Sequence, residues 1–226
     1  MKKKTRNILL SILIGAFLLC AIVGGTVYYY LFAPQFHPSK TVYVYIDRDD
    51  TTDSIYNKIR QTGHVNQFTG FLWMAKYKKL NQNIHTGRYA IRPNDNVYHV
   101  FSRLSRGYQE PINLTIGSVR TLDRLARSVG KQLMIDSAEI ARHLFDSTFQ
   151  AEMGYTPITM ACLFIPETYQ VYWDMSADDF FKRMQTEHQR FWNDERLARA
   201  TAIGMTPEEV CTLASIVEEE TNNNPE

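Results

Sequence analysis

Residues 8–31 read ILLSILIGAFLLCAIVGGTVYYYL, a run with no charged side chain. A helix rises about 1.5 Å per residue, so this run is long enough to cross a hydrocarbon core of about 30 Å. Lys2, Lys3, Lys4 and Arg6 precede it, and the next cations, Lys40 and Arg48, are later and fewer. Basic residues stay on the cytoplasmic side, so the amino terminus is expected inside and everything after Ala33 outside. Tyr28, Tyr29 and Tyr30 then fall at the outer interface, where rings with polar tips are favoured. A cleaved signal peptide would need a shorter apolar core and a small-x-small site. Ala21 and Gly24–Gly25 offer only a weak site, and the apolar run continues past them. Cys20 reads as a small apolar residue within the span.

The remaining composition narrows the function. The 226 residues carry a formal net charge of +1 and show no basic stripe, so nucleic acid is not an expected partner. Cys20, Cys162 and Cys211 form no C-x-x-C pair, and the six histidines are scattered, so neither a metal nor a cofactor is expected. Cys162 and Cys211 both fall on the exported side; two buried free thiols is the preferred reading.

After the span, Pro34 and Pro38 mark Ala33–Ser39 as a short linker. Val42–Ile46 is β-branched and aromatic and reads as a strand. Thr52-Asp53-Ser54 can cap a helix to about Gln61, stopped by Gly63. Asn66 can cap a second helix, with Phe68, Phe71, Leu72 and Ala75 at helical spacing. Gly87–Ile91 reads as a strand ended by Pro93-Asn94-Asp95. The order over Thr41–Arg92 is β-α-α-β. Val97, Val100, Phe101 and Leu104 make one face of a helix closed by Gly107. A strand is expected at Ile112–Ile116. Helices are expected after Thr121, after the Asp136/Glu139 pair and after the Ser176/Asp179 pair, with Leu125, Val129, Ile140, Leu144, Phe180, Phe181, Met184 and Phe191 inward. The fold class is α+β behind one transmembrane helix.

The last helix carries the chemistry. Thr206-Pro207-Glu208-Glu209 combines a cap, a first-turn proline and a capping-box glutamate. Val210, Ala214, Val217 and Thr221 share one face with Glu218 at 100° per residue. Glu219 falls on a more polar side, and Glu220 sits above Leu213 and Ile216. A carboxyl on a half-buried face loses hydration and can stay protonated, as a general acid must. By spacing alone, an acidic run near a helix end reads first as solvated surface, and it opposes the helix dipole there.

Leu213-Ala214-Ser215-Ile216-Val217-Glu218-Glu219-Glu220-Thr221 resembles the L-A-S-I-[VI]-E-x-E-T signature of the endolytic murein transglycosylases, the YceG-like family. Leu163-Phe164-Ile165-Pro166-Glu167-Thr168-Tyr169 resembles that family's F-P-[DE]-T-Y segment. The resemblance implies a transmembrane helix over 8–32 behind a cytoplasmic basic tail of 1–7, a LysM-like β-α-α-β module with its following helix over 41–110, and a mixed α+β catalytic domain from 111 to 226. It implies a single-pass protein of the cytoplasmic membrane acting on peptidoglycan glycan strands, with peptidoglycan synthases as partners. The reaction implied is cleavage of the MurNAc-β-1,4-GlcNAc bond to a 1,6-anhydro end, which terminates elongation. Glu218 falls on the family's catalytic glutamate. Glu220 is placed to orient substrate or hold the helix end. Glu167, Thr168 and Tyr169 are placed to line the cleft, with a structural turn and a core Tyr169 as the other reading.

The sequence also departs from the family. Ala161-Cys162 stand where an E-G pair is common, and Ile116-Gly117-Ser118 lacks an acid often found before that glycine. No N-R-L or D-P-T segment comes after Thr221, so a catalytic domain represented by its amino-terminal part is expected. Against the enzyme stands a binding module that holds glycan or a synthesis partner without chemistry. A polytopic membrane protein is disfavoured by the single apolar span.

Overall fold

The computed structural model describes residues 3–80, 84–118 and 121–222. The chain divides into two compact units, Met1–Glu110 and Pro111–Glu226. Each unit pairs one two-stranded antiparallel ribbon with helices. A lone ribbon is marginal in water, so each depends on the helices that cover it.

In the first unit α1 runs Lys3–Leu31, β1 Val42–Ile46, α2 Thr52–Thr62, α3 Thr69–Tyr77, β2 Gly87–Ile91 and α4 Val97–Arg106. Leu10–Leu31 of α1 has a mean hydropathy of 2.4, with none of its most apolar stretch buried, and is long and apolar enough to span a membrane. The helix already begins at Lys3, inside the basic stretch; Met1 and Lys2 of that tail lie outside the described residues. β1 and β2 pair from Val42 opposite Ile91 to Ile46 opposite Gly87. Phe36, Ile59, Phe71, Leu80 and Val97 are fully buried beneath them. Each such side chain contributes roughly 1.5–3 kcal/mol by leaving water.

Several local expectations are corrected. The cap of α2 is Thr51, whose Oγ1 accepts from the Ser54 amide. Asn66 caps nothing, because α3 starts at Thr69 after Phe68, which makes no side-chain cap bond. Leu72 is 45 % exposed rather than core. The expected linker is a strap. Gln35 and Phe36 are buried, and their amides both donate to the Asp95 carbonyl. The two prolines interrupt secondary structure there without freeing the chain. Asp95 itself is buried, accepts the Arg92 amide and pairs with Arg103. Asn94, with φ of 64°, supplies the turn that brings Asp95 under the strap.

In the second unit β3 runs Ile112–Ile116, α5 Leu122–Gly130, α6 Ser137–Phe145 and α7 Ser147–Glu152. A 3-10 turn at Met160–Leu163 leads to β4, Glu167–Val171, followed by α8 Ala177–Phe191, α9 Asp194–Ala202 and α10 Pro207–Asn222. Ile112, Leu114 and Ile116 of β3 and Tyr169 and Val171 of β4 point into one core with Leu125, Val129, Ile140, Leu144, Phe180, Phe181 and Met184. Helix caps form as their sequences require: Thr121 on Arg124, Asp136 on Ala138 and Ser176 on Asp179. Phe191, expected inward, is half-buried at the end of α8.

Two substitutions test the first unit. A Cβ on Gly70 would lie 2.2 Å from the Tyr30 carbonyl oxygen, so Gly70→Ala must push α1 off α3. It should cost about 1–3 kcal/mol, as overpacking does. Asp95→Ala strands the Arg103 guanidinium and should cost about 3 kcal/mol or more. Denaturant melts of the chain in detergent check both; a cost near zero for either would contradict the contacts described.

Candidate active site

The F-P-E-T-Y segment and the acidic helix are built differently. Pro166 cannot donate a ladder hydrogen bond and stands just before β4, a position proline tolerates. β4 pairs with β3 from Glu167 opposite Ile116 to Val171 opposite Ile112. The alternation sends Thr168 to solvent and Tyr169 into the core, while Glu167, on the face of Tyr169 at the end of the ribbon, is also exposed. Thr168 meets Thr115 across the ribbon, with their hydroxyl oxygens 3.1 Å apart. The Tyr169 hydroxyl donates to the Ile165 carbonyl at 2.7 Å. Burial, with Glu187 and Glu167 nearby, pushes its pKa up to about 12. Tyr169 therefore holds the Pro166 turn from inside and presents no ring to a sugar; its core reading is the structural one.

α10 has the start its sequence requires. The Thr206 amide donates to Glu209 at 2.8 Å, and the Glu209 amide donates to the Thr206 hydroxyl at 3.2 Å. This reciprocal pair satisfies two end groups at once. The first turns rest on the 3-10 turn and on α9. The Cys162 thiol reaches toward the Glu208 carbonyl at 3.9 Å and shares a hydrogen bond with Cys211. That bond lowers the Cys211 pKa to about 7 and drives the Cys162 thiol up, with burial acting in the same upward sense on Cys162. Both cysteines are free thiols, Cys162 buried and Cys211 half-buried.

Beside them the Tyr155 hydroxyl lies 3.3 Å from His188 Nδ1. Desolvation raises Tyr155 to about 12, with Glu208 adding to the rise. Desolvation also lowers His188, partly opposed by Glu208. Sequence reading missed this Tyr155–His188–Glu208–cysteine cluster, because its members come together only through the fold. The spacing of Glu208 and Cys211, one turn apart on α10, was its one local sign.

Beyond Cys211 the helix stands clear. Leu213, Ile216 and Val217 are each about half exposed, and Ala214, Glu218 and Glu220 are exposed. The half-buried face expected for Glu218 is therefore absent in this unit, because packing on α10 ends with its first two turns. The Glu219 side chain lies outside the described residues. Glu218 is seven residues after Cys211, so it lies on the same side of the helix about two turns, or roughly 10 Å, further along. The Glu218 backbone carbonyl accepts from the Thr221 hydroxyl at 3.0 Å. Among the described residues no hydrogen bond or ion pair joins Glu218 or Glu220 to Glu167 or Thr168. The structure thus gathers Glu167, Thr168 and Tyr169 on one strand and Glu218 and Glu220 on one helix. A shallow concavity of about 650 Å³ lies elsewhere on this unit, bordered by Gln170, Tyr172, Asp179 and Arg183. Asp174 and Asp179 line it, but Glu167, Glu218 and Glu220 do not. No group of three His, Cys, Asp or Glu side chains able to hold a metal occurs among the described residues.

The thiol pair gives a direct check. A thiol with a pKa near 7 is substantially thiolate at neutral pH, and the thiolate is the nucleophile. Iodoacetamide should alkylate Cys211 well before Cys162, with a rate that falls by half near pH 7. Peptide mapping across pH reads this; a midpoint above pH 8 would mean that the two thiols do not share a proton.

Comparison with curated proteins gives no match. Among solved structures, a crystal structure of a YceG-like protein from Listeria monocytogenes is similar, with 20% identity and a TM-score of 0.42. The similarity covers 75% of this chain and 61% of that one, so the chain spans about three fifths of that protein's length. Residues 44–226, from the second half of β1 to the carboxyl end, match the YceG-like family. With most of its length matched, and with the acidic α10 and the Pro166–Tyr169 strand inside the match, the chain belongs to the YceG-like family.

Proposed function

We propose that the protein is a membrane-anchored endolytic transglycosylase of peptidoglycan, and that Glu218 is its acid and base. The observation that carries this reading is Glu218 within LASIVEEET, on a helix whose base is capped and tethered while its acidic half is exposed. Membership in a peptidoglycan-related family and an apolar amino-terminal helix support the same reading. The anchor would lie in the cytoplasmic membrane, with the amino terminus inside and everything after Ala33 on the outer side, where nascent glycan and its synthases are found.

The chemistry needs one carboxyl. Ordinary glycosidases use two, an acid and a base or nucleophile. Here protonated Glu218 would donate its proton to the glycosidic oxygen between MurNAc and GlcNAc as the bond from C1 breaks. The substrate's own N-acetyl group would stabilise the positive charge growing at C1. Glu218, now a carboxylate, would take the proton of the MurNAc 6-hydroxyl as that oxygen closes on C1. One C–O bond breaks and one forms, no water enters, and Glu218 ends protonated for the next turnover. Glu220, one turn beyond Ile216, would steady the helix or the strand. Glu167 and Thr168, both facing solvent on β4, would be the polar edge over which glycan lies.

A general acid works best where water is kept away. In this unit that shielding would come from the glycan strand laid along α10, with Ala214 and Val217 beside Glu218. A non-catalytic reading, an anchored glycan-binding or scaffold protein, is favoured by one observation: among the described residues no formed cleft surrounds Glu218.

Digestion of purified uncrosslinked glycan strands by the whole protein in detergent, with products read by mass spectrometry, separates these readings. The wild type should give 1,6-anhydro ends, and Glu218→Gln should lose about 100-fold or more of the rate, the scale of a lost general acid. Glu167→Gln, on the edge proposed to hold glycan, should raise KM more than it lowers kcat. A folded, whole wild type that cleaves nothing would establish the scaffold reading, and reducing ends would mean hydrolysis with a second carboxylate.

A further inference from the structure

We propose that α3 and the start of α4 form a lipid-contacting surface, so that this face of the first unit lies in the headgroup layer of the membrane that α1 crosses. The proposal rests on α1 as the span and goes beyond the enzymatic reading.

The outward face of α3 is unusual for a water-facing helix. Its residues Phe71, Met74 and Ala75 are buried, while Leu72, Trp73 and Tyr77 are 45, 57 and 70 % exposed. Lys76 lies between them on the same face and is also exposed. Large apolar side chains gathered on one exposed face mark an interaction site rather than scattered surface residues. The Trp73 and Tyr77 rings stack, with centroids 5.6 Å apart, and Lys78 stands over the Tyr77 ring at 5.5 Å. Aromatic, aliphatic and lysine side chains on one helical face are the composition of a helix lying in a membrane interface.

The position of α3 selects lipid over other partners. Gly70, in its first turn, abuts the Tyr30 carbonyl so closely that a Cβ would sit 2.2 Å away. Tyr30 belongs to the last turn of the Leu10–Leu31 span. Trp73 is one turn from Gly70, about 5 Å along the helix. The headgroup layer on each side of a bilayer is about 5–8 Å thick. Trp73 therefore lies within about one helical turn of the end of the span, beside that layer. The same end of α1 continues the surface: Phe32 is 44 % exposed, and its ring lies 5.6 Å from that of Tyr98 on α4, itself 40 % exposed. A tryptophan and tyrosine girdle at this depth is where such rings are most stable. Lys76, Lys78 and Lys79 add the charge that anionic headgroups attract. A sugar-stacking platform would have no use for Leu72 or for continuity with the span.

Fluorescence of Trp73 tests this. The chain has three tryptophans. Trp173→Phe and Trp192→Phe together leave Trp73 as the sole emitter. The full chain is reconstituted in phosphatidylcholine–phosphatidylglycerol vesicles whose acyl chains are brominated either near the headgroup or near the chain end. Flotation with the vesicles reports α1 separately. The expected result is a chain that floats, with Trp73 emission shifted to shorter wavelength, quenched most by the shallow bromines and protected from aqueous iodide. A chain that floats while Trp73 is quenched by iodide and not by bromolipid overturns the proposal and leaves the anchor standing. Should added glycan strands then shift that emission, the face belongs to sugar. A chain that does not float removes the span and the proposal with it. If the double variant fails to fold, the same quenching difference is read between the unaltered chain and Trp73→Phe.

Discussion

The last turn of α1 has two surroundings at once, and the first unit is organised around that fact. A helix end leaves its final carbonyls without intrahelical donors. Here the module supplies them. Gln35 donates to the Tyr29 carbonyl at 2.9 Å and Asn96 to that of Phe32 at 3.3 Å, while the Phe32 and Ala33 amides close back on Tyr28. Leu31 is both the last residue of the apolar span and a buried member of the module core. Gly70 permits the close approach that joins them. The strap from Pro34 to Phe36 is pinned to Asp95 and Asn96, which ties the end of α1 to the rest of the first unit. A helix long and apolar enough to span a membrane, once inserted, would thus also set the depth of everything packed on its end.

In the second unit the corresponding constraint is the base of α10. Its capping box, the Cys162–Cys211 contact and the Tyr155–His188 pair all act on the first two turns. Beyond those turns lies an exposed helical half bearing Glu218. This division comes from the residues themselves. Glu208, Cys211 and the capping threonine have partners in the unit, whereas Leu213, Ile216 and Val217 present apolar surface that no described residue covers. Exposed aliphatic side chains beside an exposed acid are a surface that some further molecule or segment would bury.

The sequence made the helices and β3 legible where one face was strongly periodic. Val97, Val100, Phe101 and Leu104 landed in the core, and so did Leu125, Val129, Ile140 and Leu144. Capping residues were legible where side chain and first turn agreed, as at Thr121 and Thr206, and illegible at Asn66, where no turn came next to use the cap. β4 was hidden because Pro166 and Glu167 look like a turn; only pairing with β3 makes Glu167–Val171 a strand, and pairing is not local information. The strap was misread for the same reason. Two prolines signal broken secondary structure, and nothing in the neighbouring sequence tells that Phe36 will be buried. At the candidate site the family motifs located Glu218, but periodicity alone overstated its burial. An amphipathic pattern says which residues share a face and says nothing about whether a partner for that face is present.

An exposed acid is often taken as evidence against catalysis, and for hydrolysis in an open site that objection has force. For ring closure it has less. A well-placed intramolecular nucleophile acts with an effective concentration of about 10⁵ M or more, far above that of water around it. Once the sugar ring is turned so that its 6-hydroxyl faces C1, solvent near Glu218 competes poorly with it. For the proposed reaction, Glu218 would need from its surroundings a substrate held at hydrogen-bond distance and enough shielding to keep its proton, and a glycan strand laid along α10 would have to supply both.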